Sequence, residues 1–539
     1  MIAGSVPILS CDEARAFEAK LFAGDEAREW PAMQRAGRAI AAAVLRDFEE
    51  IGGFPQDGRV LVLAGKGHNG GDALIAAQAI LEKFPRARAE IVFVFGSRAL
   101  RPLAVRAWRE FAHTAGERVA TKPAARGSFA LCLDGVFGFQ FRPPAELRVA
   151  KLIAGVNALP IQLRAAVDLP SADLFRADFT YATGSVKTPV VGSAQAGRVR
   201  YLDLGFFSDA AGLADPGPGS TSLATDRVLT SAVLAPLAGL RAPQSDKRSH
   251  GHVFLIGGSR AYPGAILMST LAALRSGAGL VTAFVPESLV AAFAARAPEA
   301  MWVGWPETPT GGLALEGEHL LRVRWERATA LVIGPGLGRE PETLALARSL
   351  VESSSLPLLI DADALQPDIV GAGSAPRILT PHVGEWARIE GAIAANATLV
   401  RKGPVTRIES SARLQPASGV AGRGLKSRAT ADVVYHSFFG GPVLARGGSG
   451  DLLAGLIGGL LAQTPREPLL AAARGVVWHG LAADHLARTH GQTAVQVTQL
   501  LDFLPVALRA VPCEAPRSRV SAGTGAPVPL LTERATTDE

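Results

Sequence analysis

The feature that most constrains the fold of this chain is a repeated alternation of short apolar runs with longer helical stretches. Each half contains four runs rich in Val, Ile, Leu and Phe, with the length and composition of strands buried in a parallel sheet. In the first half they are RVLVLAG (59–65), AEIVFVFG (89–96), FALCLDGVFG (129–138) and RAAVDLP (164–170). In the second half they are GHVFLIGGS (251–259), GLVTAFVP (279–286), TALVIGPGLG (329–338) and PLLIDADAL (357–365). Ala-rich stretches such as DALIAAQAILEKF (72–84) separate them and indicate helices, so each half is predicted to form a three-layer αβα domain.

The length of 539 residues also indicates more than one domain. The segment SDAAGLADPGPGSTSLATD (208–226) has the Gly, Pro, Ser and Ala content of a linker. We therefore expect one domain over 1–215 and a second over 222–511. The tail 512–539 has no periodicity and is predicted to be disordered.

The composition argues against several classes of partner. A net charge of +6 is compatible with nucleic acid or a membrane surface, but the arginines are scattered and form no long basic run. No apolar run reaches membrane-spanning length, and the N-terminus lacks the pattern of a secretory signal. Cys11, Cys132 and Cys513 are far apart and are expected to be free thiols of a reducing compartment. The sequence predicts a cytoplasmic protein that binds neither nucleic acid nor membrane.

A glycine-rich loop precedes a long apolar stretch near the end of the second half, in LARGGSGDLLAGLIGGLLAQ (444–463). A helix beginning near Asp451 would direct free backbone N–H groups and its positive dipole end at this loop. Glycines allow the backbone to approach an anion closely. Asp451 is then either the N-cap of the helix or a base directed at the acceptor of a phosphoryl group.

Four further stretches of the second half carry polar or glycine-rich segments at expected strand ends. They are AYPGAILMSTLAALRSGAGLV (261–281), GPGLG (334–338), DADAL (361–365) and LTPHVGEWARI (379–389). Ligands of open α/β sheets bind at the carboxyl ends of the strands, where these loops should meet. Each motif alone is weak, since Asp361 and Asp363 could be helix caps and His382 a turn residue.

Together these motifs identify a family resemblance. PGA, GPGLG, DADAL, TPHxGE, KG and GGSGD occur here in the order typical of the ADP/ATP-dependent NAD(P)H-hydrate dehydratases, in the ribokinase-like superfamily, and span about Ser249 to His485. The resemblance implies that Ala265, Gly338, His382 and Asp451 contact the hydrated nicotinamide nucleotide. It implies that Lys402, Gly403, Pro404, Val405, Thr406 and Gly450 hold ADP or ATP, with Mg²⁺ as cofactor.

In this interpretation Asp451 accepts a proton from the hydroxyl on C6 of the hydrated ring, and the glycine loop stabilises the transferring phosphoryl group. The phosphorylated hydroxyl then leaves, and the result is dehydration at the expense of ADP or ATP. The chain departs from the family in one place: only EGAIAANATLV (390–400) separates LTPHVGEWARI from RKGPVTRI, where relatives have a longer helix and strand.

In the first half, LVLAGKGHNGGDALIAAQAI (61–80) reads as a strand, a glycine-rich loop and a helix. This order predicts a phosphate- or dinucleotide-binding turn. The polar loop residues His68, Asn69 and Asp72 suggest recognition of more than phosphate, although Asp72 could be a simple N-cap. Asp134, Asp168 and Ser171 follow expected strands, and their oxygens together with that of Asn69 suit a hard cation.

With MQRAG (33–37), these motifs resemble the NAD(P)H-hydrate epimerase domain over about Ile8 to Phe207, which implies a Rossmann-like fold. By this resemblance the hydrated nucleotide is bound by His68, Asn69, Gly70, Gly71, Asp72, Gly138, Phe139, Gln140, Phe141, Arg142, Pro143 and Pro144. K⁺ is ligated by Asn69, Asp134 and Ser171, and Asp168 is the acid/base catalyst. The chain has HNGGDA for NNGGDG and GFQ (138–140) for a GTG stretch, and VDLPSA leads almost at once to ADFT (177–180).

The sequence therefore predicts a bifunctional enzyme that epimerises R and S hydrated NADH and NADPH and dehydrates the S form. The expected partners are these hydrates and an adenine nucleotide, and a homo-oligomer is expected. Two alternatives remain open at this point: a ribokinase-like kinase for a small alcohol, and a dehydratase whose first half is a non-catalytic nucleotide-binding module.

Overall fold

The computed structural model describes residues 1–207, 226–414 and 433–511. The predicted linker lies outside the described residues except for Asp226, which begins a strand rather than ending a linker. The predicted disordered tail, 512–539, also lies outside them, as does Cys513. Cys11 and Cys132 are free thiols, as expected.

Strands and helices alternate along the described chain as the apolar pattern predicts. The strands are β1 (Ser5–Leu9), β2 (Arg59–Ala64), β3 (Arg88–Phe93), β4 (Val119–Thr121), β5 (Phe129–Gly135), β6 (Ile161–Val167), β7 (Phe179–Thr183), β8 (Val186–Lys187), β9 (Arg198–Leu202), β10 (Asp226–Leu229), β11 (His252–Ile256), β12 (Leu280–Pro286), β13 (Met301–Trp305), β14 (Ala330–Ile333), β15 (Leu358–Ile360), β16 (Arg377–Leu379), β17 (Ala397–Arg401), β18 (Thr406–Ser410) and β19 (Val434–Ser437). The α-helices are α1 (Cys11–Phe22), α2 (Glu26–Phe48), α3 (His68–Lys83), α4 (Pro102–Ala115), α5 (Leu147–Asn157), α6 (Thr188–Gly192), α7 (Ala235–Ala238), α8 (Pro263–Arg275), α9 (Val290–Arg296), α10 (Glu318–Arg322), α11 (Pro341–Ser353), α12 (Pro367–Val370), α13 (Val383–Ile389), α14 (Ser449–Gln463), α15 (Pro468–His490) and α16 (Leu500–Arg509).

The strands form two sheets. The first has the order β4-β3-β2-β5-β6-β7-β9, and all its described pairings are parallel. The second has the order β13-β12-β11-β14-β15-β16-β17-β18-β19-β10-β1-β8, and it is parallel from β13 to β17. Separate apolar clusters cover the two faces of each sheet, so both halves are three-layer αβα structures and the predicted fold class is confirmed.

Several predicted strands end earlier than their apolar runs. β5 ends at Gly135, and the chain then turns into the loop that contains Gly138. β6 ends at Val167 because Asp168 has a positive φ of 67°, and β14 ends before Gly334, which has a φ of 122°. A positive φ is incompatible with a continuing strand, so each run supplies a strand and then a loop. The eleven residues 390–400 form a short 3₁₀ turn at Glu390–Ala392 and most of β17, without an α-helix.

The two halves are joined through a shared sheet. β1, from the start of the chain, pairs antiparallel with β10, and on its other side it pairs parallel with β8. β10 in turn pairs with β19 of the second half. Two elements of the first half therefore form the edge of the second sheet.

A buried ion-pair network also connects the halves. Arg200 of β9 donates to Asp47 at 3.0 Å and to Asp484 of α15 at 2.9 Å. Arg198 contacts Glu50 at 2.6 Å and Asp484 at 2.8 Å. The side chains of Asp47, Glu50 and Asp484 are at most 2% exposed, so these charges are paired inside the interface.

No helix of the described residues is long and apolar enough to cross a membrane.

Candidate active sites

The first site lies where the strand order of the first sheet reverses. The chain runs from β2 to β3 and β4 on one side and then returns to place β5 on the other side of β2. Ligands of open α/β sheets bind at such a switch point. The loops after β2 and β5 border a cavity of about 380 Å³, here called the N-terminal cavity, and this volume suits a small-molecule site.

Most of the residues predicted for the first half line this cavity. They are His68, Asn69, Gly70, Asp72, Gly138, Phe139, Gln140, Phe141 and Asp168. Gly71 instead packs against Met33, since a Cβ on it would lie 2.8 Å from the sulfur. Arg142 pairs with Asp12 at 3.2 Å, and it lies outside the lining together with Pro143 and Pro144.

Helix α3 begins at His68 and has Gly67 as its N-cap, so the interpretation of Asp72 as an N-cap is wrong. Asp72 lies more than one turn into the helix and is 7% exposed. Its Oδ1 has no hydrogen-bond partner among the described residues. Burial raises the pKa of Asp72 well above its usual range, and repulsion from Asp168 and Glu18 adds to the shift.

Asp168 forms a buried ion pair with Lys187, which the sequence analysis did not single out. The Lys187 Nζ lies 2.6 Å from the Asp168 Oδ1, and the two side chains are 1% and 4% exposed. Lys187 ends β8, the short strand that pairs with β1. The signal for it in the sequence is a lone charged residue within the apolar SVKTPVV (185–191).

Of the three residues predicted to hold K⁺, Asn69 lines the cavity, while Asp134 and Ser171 lie together behind its wall. The Asp134 carboxylate is fully buried and accepts hydrogen bonds from the Ser171 hydroxyl (2.7 Å) and the Ser171 N–H (2.8 Å). Burial raises the pKa of Asp134 to about 6, although these hydrogen bonds oppose the shift. The Asn69 Nδ2 donates to the Val167 carbonyl at 2.8 Å, and its Oδ1 faces Gly138, where a Cβ would lie 2.7 Å away.

Other residues of the N-terminal cavity also escaped the sequence analysis. They include Glu18 of α1, Glu29 and the cations Lys66 and Arg101. Burial raises the pKa of Glu18 to about 7. Aromatic rings form part of the wall: Phe137 stacks on Phe141 with centroids 4.1 Å apart. Such a surface can take a planar ring, while Lys66 and Arg101 can face negative charge.

The second site, here called the C-terminal site, lies at the equivalent switch point of the second sheet, between β11 and β14. The GPGLG loop after β14 crosses the start of α8, and a Cβ on Gly336 would lie 3.0 Å from that of Ala265. The N–H of Gly338 donates to the Asp363 carboxylate at 3.2 Å. Ala265, in the first turn of α8, thus lies beside the loop that carries Gly338.

Asp451 lies in the first turn of α14, whose N-cap is Gly448 with a φ of 91°. The helix therefore begins at Ser449, and the interpretation of Asp451 as an N-cap is wrong. No hydrogen bond reaches its carboxyl group from a described residue, although its backbone carbonyl accepts one from Ser269. Burial raises the pKa of Asp451 to about 6, and repulsion from nearby carboxylates, chiefly Asp361, adds to the shift.

The loops after β15 and β17 meet beside Asp451. The Lys402 Nζ lies 3.2 Å from the Asp361 Oδ1. A Cβ on Gly450 would lie 3.3 Å from the same Nζ, so the glycine leaves room for the ammonium at the helix start. The positive charge of Lys402 lowers the pKa of Asp451, but burial and the repulsion from Asp361 have larger effects and raise it. The site thus combines an acid, a cation and free helical N–H groups.

His382 is the N-cap of α13 and forms a capping box with Glu385. Its Nδ1 accepts the N–H of Gly384 at 3.0 Å, and the neutral ring therefore carries its proton on Nε2. The ring is 62% exposed, and its Nε2 lies 3.4 Å from the Glu385 Oε1. His382 is thus a structural residue at the start of α13 whose ring is exposed.

In the remainder of KGPVT, Gly403 and Pro404 are exposed and Thr406 begins β18. Val405 packs in an apolar cluster with Val6, Val186 and other residues of the first half. The predicted nucleotide loop therefore borders the interface between the halves.

The sequence analysis missed His479 of α15, which lies behind the glycine loop and is 5% exposed. Burial lowers the pKa of His479 to about 4, although a hydrogen bond with the Ser449 backbone opposes the shift. A neutral ring in this place supports the loop that ends at Asp451. A single histidine within the apolar GVVWHGLAA (475–483) is its signal in the sequence.

Comparisons with known proteins agree with this architecture. A family model described as NAD(P)H-hydrate dehydratase matches residues 253–506, and one described as YjeF-related protein N-terminus matches residues 31–187. A bifunctional NAD(P)H-hydrate repair enzyme, Nnr, of Moorella thermoacetica is 32% identical over 523 residues, which cover 92% of this chain and 94% of the relative. The enzyme of the same description from Gloeobacter violaceus is 35% identical, with 92% and 97% covered. A solved structure of an ADP/ATP-dependent NAD(P)H-hydrate dehydratase from Bacillus subtilis is 25% identical and covers 52% of this chain and 98% of its own, with a TM-score of 0.41.

These relatives extend over nearly the whole chain, and the two family models fall on the two sites in the order that the motifs predicted. The family resemblance inferred from the motifs is confirmed. The chain belongs to the family of bifunctional NAD(P)H-hydrate repair enzymes.

Proposed function

We propose that this protein returns hydrated NADH and NADPH to NADH and NADPH with two active sites. The first half, proposed as 1–215, interconverts the R and S hydrates. The second half, proposed as 222–511, dehydrates the S form at the expense of ADP or ATP. The observation that carries the proposal is the presence of an acid/base group at each switch point: the buried pair of Asp168 with Lys187, and the half-buried Asp451 beside the GGSG loop.

For the dehydration, Asp451 is the proposed base. A carboxyl group with a pKa of about 6 is mostly ionised at neutral pH and is still basic enough to accept the C6 hydroxyl proton as phosphoryl transfer proceeds. The N–H groups of the GGSG loop and of the start of α14 stabilise the charge on the transferring group. Lys402 to Thr406 and Gly450 hold the adenine nucleotide, while Ala265, Gly338 and the exposed ring of His382 face the hydrate.

Mg²⁺ suits the C-terminal site. Asp361, Asp363 and Glu385 repel the Asp451 carboxyl group, and Lys402 alone opposes them there. Mg²⁺ is typically bound by one or two carboxylates together with phosphate oxygens, a role that Asp361 and Asp363 can fill. When bound, the ion would neutralise phosphate charge.

For the epimerisation, the hydrate binds in the N-terminal cavity. We propose that His68, Asn69, Gly70 and Asp72 at the start of α3 contact it, together with the loop 138–141. Asp168, in its ion pair with Lys187, is the proposed acid/base group at C6 of the ring.

K⁺ suits the cradle behind this cavity. The buried Asp134 carboxylate has no cationic side chain as its partner among the described residues, so a monovalent cation would compensate its charge. The Asn69 Oδ1 and the Ser171 Oγ are further oxygen ligands of the kind that hard cations prefer. When bound, K⁺ would fix the start of α3 against the end of β6.

The decisive experiment supplies the purified whole chain with mixed R and S hydrated NADH and either ADP or ATP, and follows the recovery of NADH absorbance. Complete recovery at an enzyme-dependent rate is expected. Recovery that stalls with the R hydrate left would favour the alternative of a non-catalytic first half, for which the substitutions at His68 and Ala73 are the motivation. Phosphorylation of a small alcohol without NADH recovery would favour the kinase alternative.

We also propose a cytoplasmic location, which the free thiol of buried Cys132 supports. We further propose a homo-oligomer, and sedimentation of the whole chain would test its size.

A further inference from the structure

The N-terminal cavity contains more acidic groups than a single acid/base residue requires. Asp72, Asp168 and Glu18 all line it, and Lys187 is the cation paired with Asp168. Asp72 is buried, at 7% exposed, and its Oδ1 makes no hydrogen bond to a described residue. A buried polar atom without a partner destabilises the fold, so its presence in a cavity wall points to a ligand contact.

Helix geometry places Asp72 next to Asp168. Asn69 and Asp72 are three residues apart in α3 and therefore share one face of the helix. Asn69 donates to the carbonyl of Val167, the residue directly before Asp168. The helix face that carries Asp72 is thus held against the end of β6, and Asp168 is the next residue in the chain.

The two carboxyl groups differ in their surroundings. Asp168 is held in an ion pair with the Lys187 ammonium at 2.6 Å. Asp72 is repelled by Asp168 and by Glu18, and its burial favours the protonated form, with Lys187 as the opposing influence. A pair of titratable groups whose environments differ in this way divides naturally into an acid and a base.

We propose that Asp72 is the proton donor of the epimerisation, acting together with Asp168 as the base. The inference rests on the epimerase function proposed above.

The step balances without a further reagent. Asp72 gives its proton to the hydroxyl on C6, the C6–O bond breaks, and water leaves as the lone pair of the ring nitrogen forms a C=N⁺ bond. A water molecule then adds to C6 on the other face and loses a proton to the Asp168 carboxylate. Proton transfer through cavity water from Asp168 back to Asp72 restores the starting state. One water leaves and one enters, and the configuration at C6 is inverted.

The test uses the whole chain with hydrated NADH enriched in one epimer and without ADP or ATP, so that the second half cannot consume the substrate. The approach to the equilibrium mixture is followed by chromatography, and the spontaneous rate is subtracted. Asp72→Asn keeps the size of the side chain but cannot give up a proton. We expect its kcat to fall by about 10²-fold or more, with KM changed by less than about threefold. Asp57→Asn makes the same chemical change at an exposed position before β2 and is the matched control, which should keep kcat within about fivefold of the wild type. Glu18→Gln, on another wall of the same cavity, tests the rival proton donor.

The pH profile separates proton donation from a structural role. In the wild type, epimerisation should decline on the alkaline side as Asp72 loses its proton, and this decline should disappear from the residual activity of Asp72→Asn. Dehydration of pure S hydrate with ADP by the same variant should be unchanged, which reports on folding.

The possible outcomes are distinct. A wild-type chain that does not interconvert the epimers would refute the epimerase function itself. A wild-type chain that interconverts them, with Asp72→Asn nearly as fast, would refute only the assignment of Asp72. A loss confined to Glu18→Gln would also overturn this assignment and transfer the role of proton donor to Glu18.

Discussion

Replacement of Asp451 by asparagine tests the role of the C-terminal site most directly. The amide keeps the shape of the carboxyl group but has almost no basicity. The carboxyl group accepts no hydrogen bond from a described residue, so the variant should lose no folding contact. It also removes a half-buried charge that is repelled by Asp361, and the thermal stability of the protein should therefore be equal or higher.

The magnitude follows from the surroundings of this residue. A general base contributes about 10²–10⁴-fold to a rate, so dehydration by Asp451→Asn should fall by at least about 10²-fold. With a pKa of about 6, about 90% of the wild-type carboxyl group is ionised at pH 7 and about 10% at pH 5. Because the raised pKa belongs to a group that must be ionised to act, kcat/KM should fall about tenfold from pH 7 to pH 5.

The assay is the initial rate of NADH recovery from pure S hydrate with ADP or ATP, with nucleotide affinity measured separately by calorimetry. Asp368→Asn makes the same chemical change at an exposed position of α12 and should leave the rate unchanged. An Asp451→Asn variant with near-normal turnover would remove Asp451 from the mechanism. A wild-type profile that stays flat from pH 7 to pH 5 would show that its ionisation does not control the reaction.

Three further outcomes are expected. Asp134→Asn should abolish the dependence of the epimerisation rate on K⁺, because the buried charge that the cation compensates is gone. The rate in K⁺ is compared with the rate in tetramethylammonium at constant ionic strength, and a variant that still responds to K⁺ would place the ion elsewhere. Lys187→Met should slow epimerisation by about 10²-fold while the dehydration of S hydrate stays normal, and equal loss of both activities would indicate a folding defect. Asp484→Ala should lower the free energy of unfolding by about 3 kcal/mol in urea titrations, because the buried Arg200 and the half-buried Arg198 both lose a partner. The control Asp502→Ala, at a mostly exposed pair, should change it by less than about 0.5 kcal/mol.

The fold class was predictable because buried parallel strands are apolar throughout. β2 and β5 carry hardly a polar side chain apart from Arg59 and Asp134, and such runs can be recognised without knowledge of the fold. Strand ends were less predictable. The apolar run continues through Gly334 and Asp168, and only the positive φ of these residues, a tertiary requirement, ends the strand there.

The candidate sites were predictable where a motif is local in sequence. The GGSGD loop and HNGGDA each present their residues on one helix start, so spacing alone indicates the geometry. Lys187 and Glu18 were missed because they reach the N-terminal cavity from β8 and α1, distant in sequence from the motifs. An isolated Lys or Glu gives no local signal, since its burial is decided by elements that pack on it from elsewhere.

The placement of Lys187 gives the shared sheet a functional meaning. Lys187 ends β8, β8 is held by β1, and β1 is held by β10 of the second sheet. The flanking residues Leu169 and Val186 pack in the same apolar cluster as Val405 of the nucleotide loop. A chain cut at 215 would therefore lose β10, the strand that pairs with β1. The position of Lys187 would then depend on β8 and on a β1 that has lost this neighbour. The two activities are thus best assayed in the whole chain, and a weak epimerase activity in an isolated first half would reflect the lost sheet contact rather than the chemistry of the N-terminal cavity.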